Sequence, residues 1–178
     1  MSIELLAKQG RDRIHGGLAA IDSDKLRQIR NAQLRSCFAR LEESSHRMEL
    51  VASIHNIEYI NDAASRNVNA TWYTLQRSEG GIIWIAFGGD NTANYAHLRD
   101  LALLKVRMLI CVGNENSALH NAFADSIPVY DVDSIGAAVR KACYSGYENV
   151  KVILSPATRT GLSDQSASEI FCHEVNEL

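Results

Sequence analysis

Side chains able to do chemistry gather in three short stretches: Asn61-Asp62, Gly88-Gly89-Asp90-Asn91 and Ser155-Pro156-Ala157-Thr158. Each follows a run of β-forming residues and carries a carboxylate, amide or hydroxyl at a point where the chain turns. Glycines at 88 and 89 let backbone approach a ligand closely, although taken alone they read equally well as a plain turn. Nucleophilic and metal chemistry find less support. Ser155 precedes proline and lies outside any G-x-S-x-G elbow. The six histidines, His15, His46, His55, His97, His120 and His173, show no HxH or HExxH spacing, so no metal site is expected from them. Cys37, Cys111, Cys143 and Cys172 are far apart with no CxxC pair, the pattern of buried free thiols in a reducing compartment. No residue is assigned a catalytic role.

Elements that position these loops are legible from periodicity. Met48–Ile54 and Ile57–Asn61 are β-like runs joined by His55-Asn56, a two-residue hairpin turn. A helix is expected over Val68–Arg77, ended by Gly80-Gly81. Ile82–Phe87 is apolar on both faces, as a central parallel strand covered by helices must be. There follow a helix near 95–104, a strand over 108–112, a helix near 117–124, a short strand 128–130, a helix over 133–144, the strand Val150–Leu154 and a last helix near 164–178. Short connections between β and α units imply right-handed crossovers in a parallel sheet. The fold class is therefore α/β: a Rossmann-like, mostly parallel sheet with helices on both faces. In such a sheet the three loops converge at the carboxyl ends of the strands and form a binding crevice. Residues 1–45 read differently, as an N-terminal helical arm preceding the α/β domain at 46–178. Leu26, Ile29, Leu34, Phe38 and Leu41 recur there at helical spacing among polar residues.

Composition excludes several function classes. A chain of 178 residues with 46% hydrophobic and 22% charged content is ordinary for a soluble globular protein. A net charge of −3 gives no electrostatic case for nucleic acid or an anionic membrane as partner. No apolar run approaches the roughly 20 residues that span a bilayer. Met1-Ser2-Ile3-Glu4 does not open a basic region followed by an apolar run, so a cytoplasmic location is expected.

His46-Arg47-Met48-Glu49-Leu50-Val51 with Ile60-Asn61-Asp62, then Phe87-Gly88-Gly89-Asp90, then Leu154-Ser155-Pro156-Ala157 together resemble the C-terminal domain of the Mur ligases, with the strongest likeness to their D-glutamate-adding branch. Asn67-Val68-Asn69-Ala70-Thr71-Trp72-Tyr73 extends the likeness, which covers about residues 45–178. The resemblance implies a role in peptidoglycan precursor synthesis, in which a carboxylate is activated as an acyl phosphate and attacked by an amine. It implies that Arg47 approaches a nucleotide ribose, that Asp62 lies at the nucleotide end of an interdomain cleft, and that Asn61, Asp62, Ser155 and Thr160 face the amino-acid side. A guanidinium near a nucleotide is chemically sensible; the alternative for Arg47 and Asp62 is a surface ion pair closing the hairpin, worth little to stability.

Departures from the family pattern shape the functional expectation. Where the family reads Asp-Ser-Lys-(Ala or Gly)-Thr-Asn, this chain has Asp62-Ala63-Ala64-Ser65-Arg66-Asn67. The lysine and threonine that help hold the substrate carboxylate are replaced by Ala64 and Arg66, and Arg66 offers a positive charge from a different position. Thr160 keeps a hydroxyl where the family has serine. No G-x-x-x-x-G-K-[ST] run occurs, so nothing cradles a triphosphate in the usual way. The resulting expectation is a domain that is non-catalytic alone, a pseudoenzyme-like binding or regulatory module for a nucleotide, an amino acid or a UDP-muramoyl precursor. No cofactor is assigned, and ATP or ADP enters only with a partner domain. One alternative is the terminal portion of a split ATP-dependent ligase working with a P-loop partner protein. Another is a scaffold that forms homo-oligomers through the arm.

Overall fold

The computed structural model describes residues 46–90, 93–159 and 162–178. The helical arm expected over 1–45 lies outside the described residues, as do Asn91 and Thr160. In chain order the elements are β1 (Glu49–Ile54), β2 (Ile57–Asn61), α1 (Val68–Arg77), β3 (Gly81–Phe87), α2 (Ala96–Lys105), β4 (Val106–Val112), α3 (Ser117–Phe123), β5 (Val129–Val132), α4 (Ile135–Cys143), β6 (Val150–Leu154) and α5 (Asp164–Asn176). The six strands form one sheet in the order β1-β2-β6-β3-β4-β5. Only the β1–β2 pair is antiparallel; β2–β6, β6–β3, β3–β4 and β4–β5 are all parallel.

The hairpin forms where the sequence places it. His55 and Asn56 both take positive φ, 50° and 62°, the backbone that a two-residue turn needs to match strand twist. Ile54 and Ile57 are then directly paired. From β2 the chain crosses over β6 to reach β3, so β6 returns last into a slot between strands laid down much earlier. That topology makes two adjacent strands send their following helices to opposite faces, which opens a crevice at their carboxyl ends.

Two apolar layers sandwich the sheet. On one face α1, α2 and α3 bring Leu75, Leu98, Ala102, Leu119 and Phe123 onto Ile82, Trp84, Leu109 and Ile153. On the other, α4 and α5 bring Val139, Ala142, Phe171 and Val175 onto Tyr59, Ile83, Ile85, Ile110 and Val152. Because β3 is covered on both sides, Ile82, Ile83, Trp84, Ile85 and Ala86 are all fully buried. Burial of each large side chain of this kind contributes about 1.5–3 kcal/mol. Trp84 packs edge-on against Phe123 with ring centroids 5.5 Å apart. Its indole Nε1 donates to the Ser155 carbonyl at 2.8 Å, so the central strand also fastens the loop after β6.

Helix α1 stops at Arg77, earlier than Gly80-Gly81. Ser78 turns extended while its hydroxyl donates to the Thr74 carbonyl at 2.8 Å. The Lys105 ammonium, at the end of α2, donates to the carbonyls of Leu75, Gln76 and Ser78 at 3.1, 2.5 and 2.8 Å. A cation on the last carbonyls satisfies orphan acceptors and complements the helix dipole.

Gly88 sits where β3 meets the loop after β4. A Cβ there would lie 2.4 Å from the Glu115 carbonyl oxygen and 2.2 Å from Asn116 Oδ1. Backbone cannot yield as a flexible side chain would. Gly88→Ala is expected to destabilise the fold by about 1–3 kcal/mol in urea unfolding, whereas Gly89→Ala, with open space around it but φ of +96°, acts only through backbone strain. Equal stability of Gly88→Ala and the unsubstituted chain would contradict this packing.

Candidate functional site

The loops after β2, β3 and β6 converge on one edge of the sheet and are tied together from inside. At the end of β2 the Asp62 carboxylate is fully buried. Its Oδ2 accepts from Thr74 Oγ1 on α1 at 2.6 Å and from Ser155 Oγ, just past β6, at 3.0 Å. Around them Thr71 Oγ1 and Ser155 Oγ are hydrogen-bonded at 2.9 Å, and Ser65 Oγ and Thr74 Oγ1 are 3.3 Å apart. All four hydroxyl residues are buried. Burial holds the Asp62 carboxyl above the ordinary aspartate range, against the downward pull of the Ser65, Thr74 and Ser155 hydroxyls and of the Arg47 guanidinium.

Backbone bonds complete the lacing. Ser155 N–H donates to the Ile85 carbonyl at 3.0 Å, Phe87 N–H to the Pro156 carbonyl at 3.1 Å, and Ala157 N–H to the Ser65 carbonyl at 3.0 Å. Ala157 takes φ of +63°, unusual for a residue with a Cβ and worth about 1–2 kcal/mol of strain. Asn61 looks the other way. Its Nδ2 donates to Ser168 Oγ on α5 at 2.7 Å and to Glu49 Oε2 at 3.3 Å, and its Oδ1 accepts from Ala63 N–H at 3.2 Å.

Over this interior lies an open cleft of about 420 Å3, lined by Arg66 to Asn69 together with Asp90, Ala93, Ala157, Thr158 and Arg159. Asn67 caps α1 there, its Oδ1 accepting from Ala70 N–H at 2.9 Å, so the first turn of a ten-residue helix faces the cleft. Arg66 is half-buried, and its Nη2 donates to the Leu162 carbonyl at 3.0 Å. Arg159 is exposed. Two guanidinium groups and a helix N-terminus make one wall region cationic, with the Asp90 carboxylate as the opposing charge.

The sequence-predicted residues therefore divide. Arg66 reaches the cleft. Asp62 and Ser155 come together, as expected of strand-end residues, but as an interior hydrogen-bonded unit, and Asn61 is spent on α5 and β1. Arg47 is 8% exposed, so it is no surface partner for Asp62; its Nη2 is buried without a hydrogen-bond partner. Asp62 Oδ1 is likewise buried and unpartnered. Thr160 lies outside the described residues. Sequence reasoning missed Arg159 and Asp90 as cleft residues. Arg159 directly follows the Ser155–Thr158 stretch, and Asp90 was already in the glycine loop; only the three-dimensional closure of the loops shows that they line one cleft.

Among the described residues Cys111, Cys143 and Cys172 are free, the first buried and the others half-buried. No helix among them is long and apolar enough to cross a membrane.

The fold matches the Mur-ligase C-terminal type of α/β domain, and the chain is a homologue of those ligases. It is 34% identical over 158 residues to the UDP-N-acetylmuramoylalanine--D-glutamate ligase of Porphyromonas gingivalis, a match covering 88% of this chain and 35% of that protein. Against the enzyme of the same name from Christiangramia forsetii it is 35% identical over 153 residues, covering 85% of this chain and 34% of the relative. The structure of UDP-N-acetylmuramate-alanine ligase from Thermotoga maritima superposes with a TM-score of 0.50 at 15% identity, over 74% of this chain and 30% of that one. No family model matches the chain. This chain thus spans about a third of the length of the curated relatives it matches. A matched stretch of 158 residues is also longer than the segment 46–178, so the similarity extends into residues 1–45. That corrects the narrower extent expected from motifs alone, because the arm carries none of the short motifs by which likeness is recognised by eye.

Burial fixes a sign for the pH response. With its folded-state affinity for a proton raised, Asp62 stabilises the fold most when protonated, and that contribution is lost as pH rises above the ordinary aspartate range. Urea unfolding across a pH series should show this downward component in the unsubstituted chain and its absence in Asp62→Asn. Identical pH slopes for the two proteins would show that Asp62 ionises as a solvated carboxylate does.

Proposed function

We propose that this chain is a ligand-binding module of the Mur-ligase type, receiving an amino acid with an acidic side chain in the cleft between Arg66, Arg159 and Asp90, and that it does not carry out ligation alone. One observation carries the reading: a cationic wall and a carboxylate share one cleft at the carboxyl edge of the sheet. An amino acid bears a carboxylate that complements the guanidiniums and the first turn of α1, and an ammonium that complements Asp90. The relatives are named for adding D-glutamate, which makes that compound the first ligand to try. Arg66 stands where the family has threonine, and Ala64 where it has the carboxylate-holding lysine. In this reading the positive charge has moved to Arg66 and Arg159. Asn61, Asp62 and Ser155 serve by holding the loops, and the buried Arg47 guanidinium serves there too by its charge beside Asp62.

A second reading is favoured by the coverage of the relatives, of which this chain spans only about a third. A G-x-x-x-x-G-K-[ST] phosphate loop, absent from these 178 residues, would come from a partner, and the pair would form an amide bond at the expense of ATP. In either reading the purified chain releases no phosphate from ATP.

Isothermal titration of the chain with D-glutamate, L-glutamate and D-alanine tests the proposal. An acidic amino acid should bind more tightly than alanine, and Arg66→Ala and Arg159→Ala should each weaken it by about tenfold, the value of one charge-assisted hydrogen bond. Asp90→Asn should weaken glutamate but not glutarate, which lacks the ammonium. No heat with any of the amino acids, or equal binding by the arginine variants, would reject the module reading. Phosphate release by the chain in the absence of any partner would reject its non-catalytic part.

A further inference from the structure

A second constellation, sharing no residue with the cleft lining, sits on the strands β4 and β5 at the side of the sheet away from the hairpin. Cys111 on β4 and Asp131 on β5 are paired in register across two parallel strands, so their side chains leave the same face. Helix α3 lies on that face and supplies His120, whose Nε2 is 2.9 Å from Asp131 Oδ2 and 3.0 Å from Oδ1. One donor atom from each of Cys111, His120 and Asp131 lies within 4.8 Å of the other two. His120 and Asp131 line a hollow of about 380 Å3, while Cys111 is fully buried beside them. Asn116 Nδ2 donates to Asp131 Oδ1 at 2.8 Å and to the Gly113 carbonyl at 2.6 Å, holding the carboxylate in place.

We propose that Cys111, His120 and Asp131 form a binding site for a divalent transition metal ion of the Zn2+ class. The donor set decides the class. A thiolate with an imidazole selects borderline-soft ions, whereas Ca2+ and Mg2+ take shells of oxygen. Ligand bonds of about 2.0–2.3 Å place the donors of a tetrahedral site roughly 3.3–3.8 Å apart. From at most 4.8 Å, no pair has to close by more than about 1.5 Å and the His120–Asp131 pair, at 2.9 Å, opens slightly; these two are half-exposed side chains able to move. Three protein ligands leave a fourth position for water on the solvent side. Asn116 supplies the outer-sphere hydrogen bond that metal-bound carboxylates commonly have.

In the ion-free state the arrangement is a His–Asp pair above a neutral thiol, because burial, with the Asp131 charge added, pushes Cys111 up to about 12. On binding, the S–H proton leaves to solvent as the sulfur–metal bond forms, and imidazole binds in its neutral form. The ion joins β4, β5 and α3. It would secure a four-residue edge strand that pairs with β4 alone, so its role is that of a staple.

Spectroscopic titration of the full chain with Co2+, in a non-thiol reductant, reads the site directly. One equivalent should produce a thiolate-to-cobalt charge-transfer band in the near ultraviolet together with visible d–d bands of tetrahedral intensity. Zn2+ should displace both and raise the melting temperature. Cys111→Ser should remove the charge-transfer band, and Cys143→Ser should keep it. Because Cys111 is buried and its variant could misfold, His120→Gln and Asp131→Asn, which alter half-exposed side chains, provide the second arm; each should weaken cobalt by tenfold or more with an unchanged circular dichroism spectrum. A missing charge-transfer band in the unsubstituted chain, a band surviving in folded Cys111→Ser, or unaltered affinity in both His120→Gln and Asp131→Asn would overturn the assignment.

Discussion

The Asp62 carboxylate is the constraint on which the rest of the ligand edge depends. It stands where three chain segments meet, and it holds them with hydroxyl hydrogen bonds, with the Arg47 guanidinium as the opposite charge nearby. Thr74 ties it to the helix that starts at the cleft, and Ser155 ties it to the loop after β6. An isolated buried carboxylate is costly, and hydroxyl donors offset only part of that cost. The cost is the reason that the loops have a defined arrangement: any displacement of α1 or of the β6 loop strips a donor from a charge that has no water to turn to. Ala157, held at positive φ by its bond to the Ser65 carbonyl, belongs to the same over-determined region.

From that interior follows a division between polar side chains committed to the fold and charged side chains that line the cleft. Residues that invite a catalytic reading by type, Asn61, Asp62 and Ser155, are fully buried and have their polar groups committed to the fold. The charged side chains that line the cleft, half-buried Arg66 and Asp90 and exposed Arg159, lie outside that interior unit.

Much of the fold was legible in the sequence. The strands at 57–61 and 150–154 and the helix at 68–77 match the structure to the residue, because turn chemistry at His55-Asn56 and the cap at Asn67 mark their ends sharply. Where no such punctuation exists, boundaries drift. The strand at 106–112 begins two residues before its apolar run, because Arg107 points to solvent between buried Val106 and Met108. The helix over 68–77 is closed at Ser78 by a side-chain bond to the backbone and a lysine from another helix, devices that local pattern does not reveal. The site was less legible. Sequence placed the loops together, but a one-dimensional reading cannot say which polar groups turn inward. It had no means to see that Cys111, His120 and Asp131, separated by eight and ten residues with no recognisable metal spacing, meet across two strands and a helix.

The central claim is that a rigid hydroxyl–carboxylate interior presents Arg66, Arg159 and Asp90 to an acidic amino acid. Amide chemical-shift mapping of the isotope-labelled chain during addition of D-glutamate tests it most directly. The account requires the largest shifts at 66–69, at Asp90 and at 158–159, with saturation and only small changes at the committed Asn61. Shifts confined to another surface, or a spectrum unmoved at the highest ligand concentration, would contradict it.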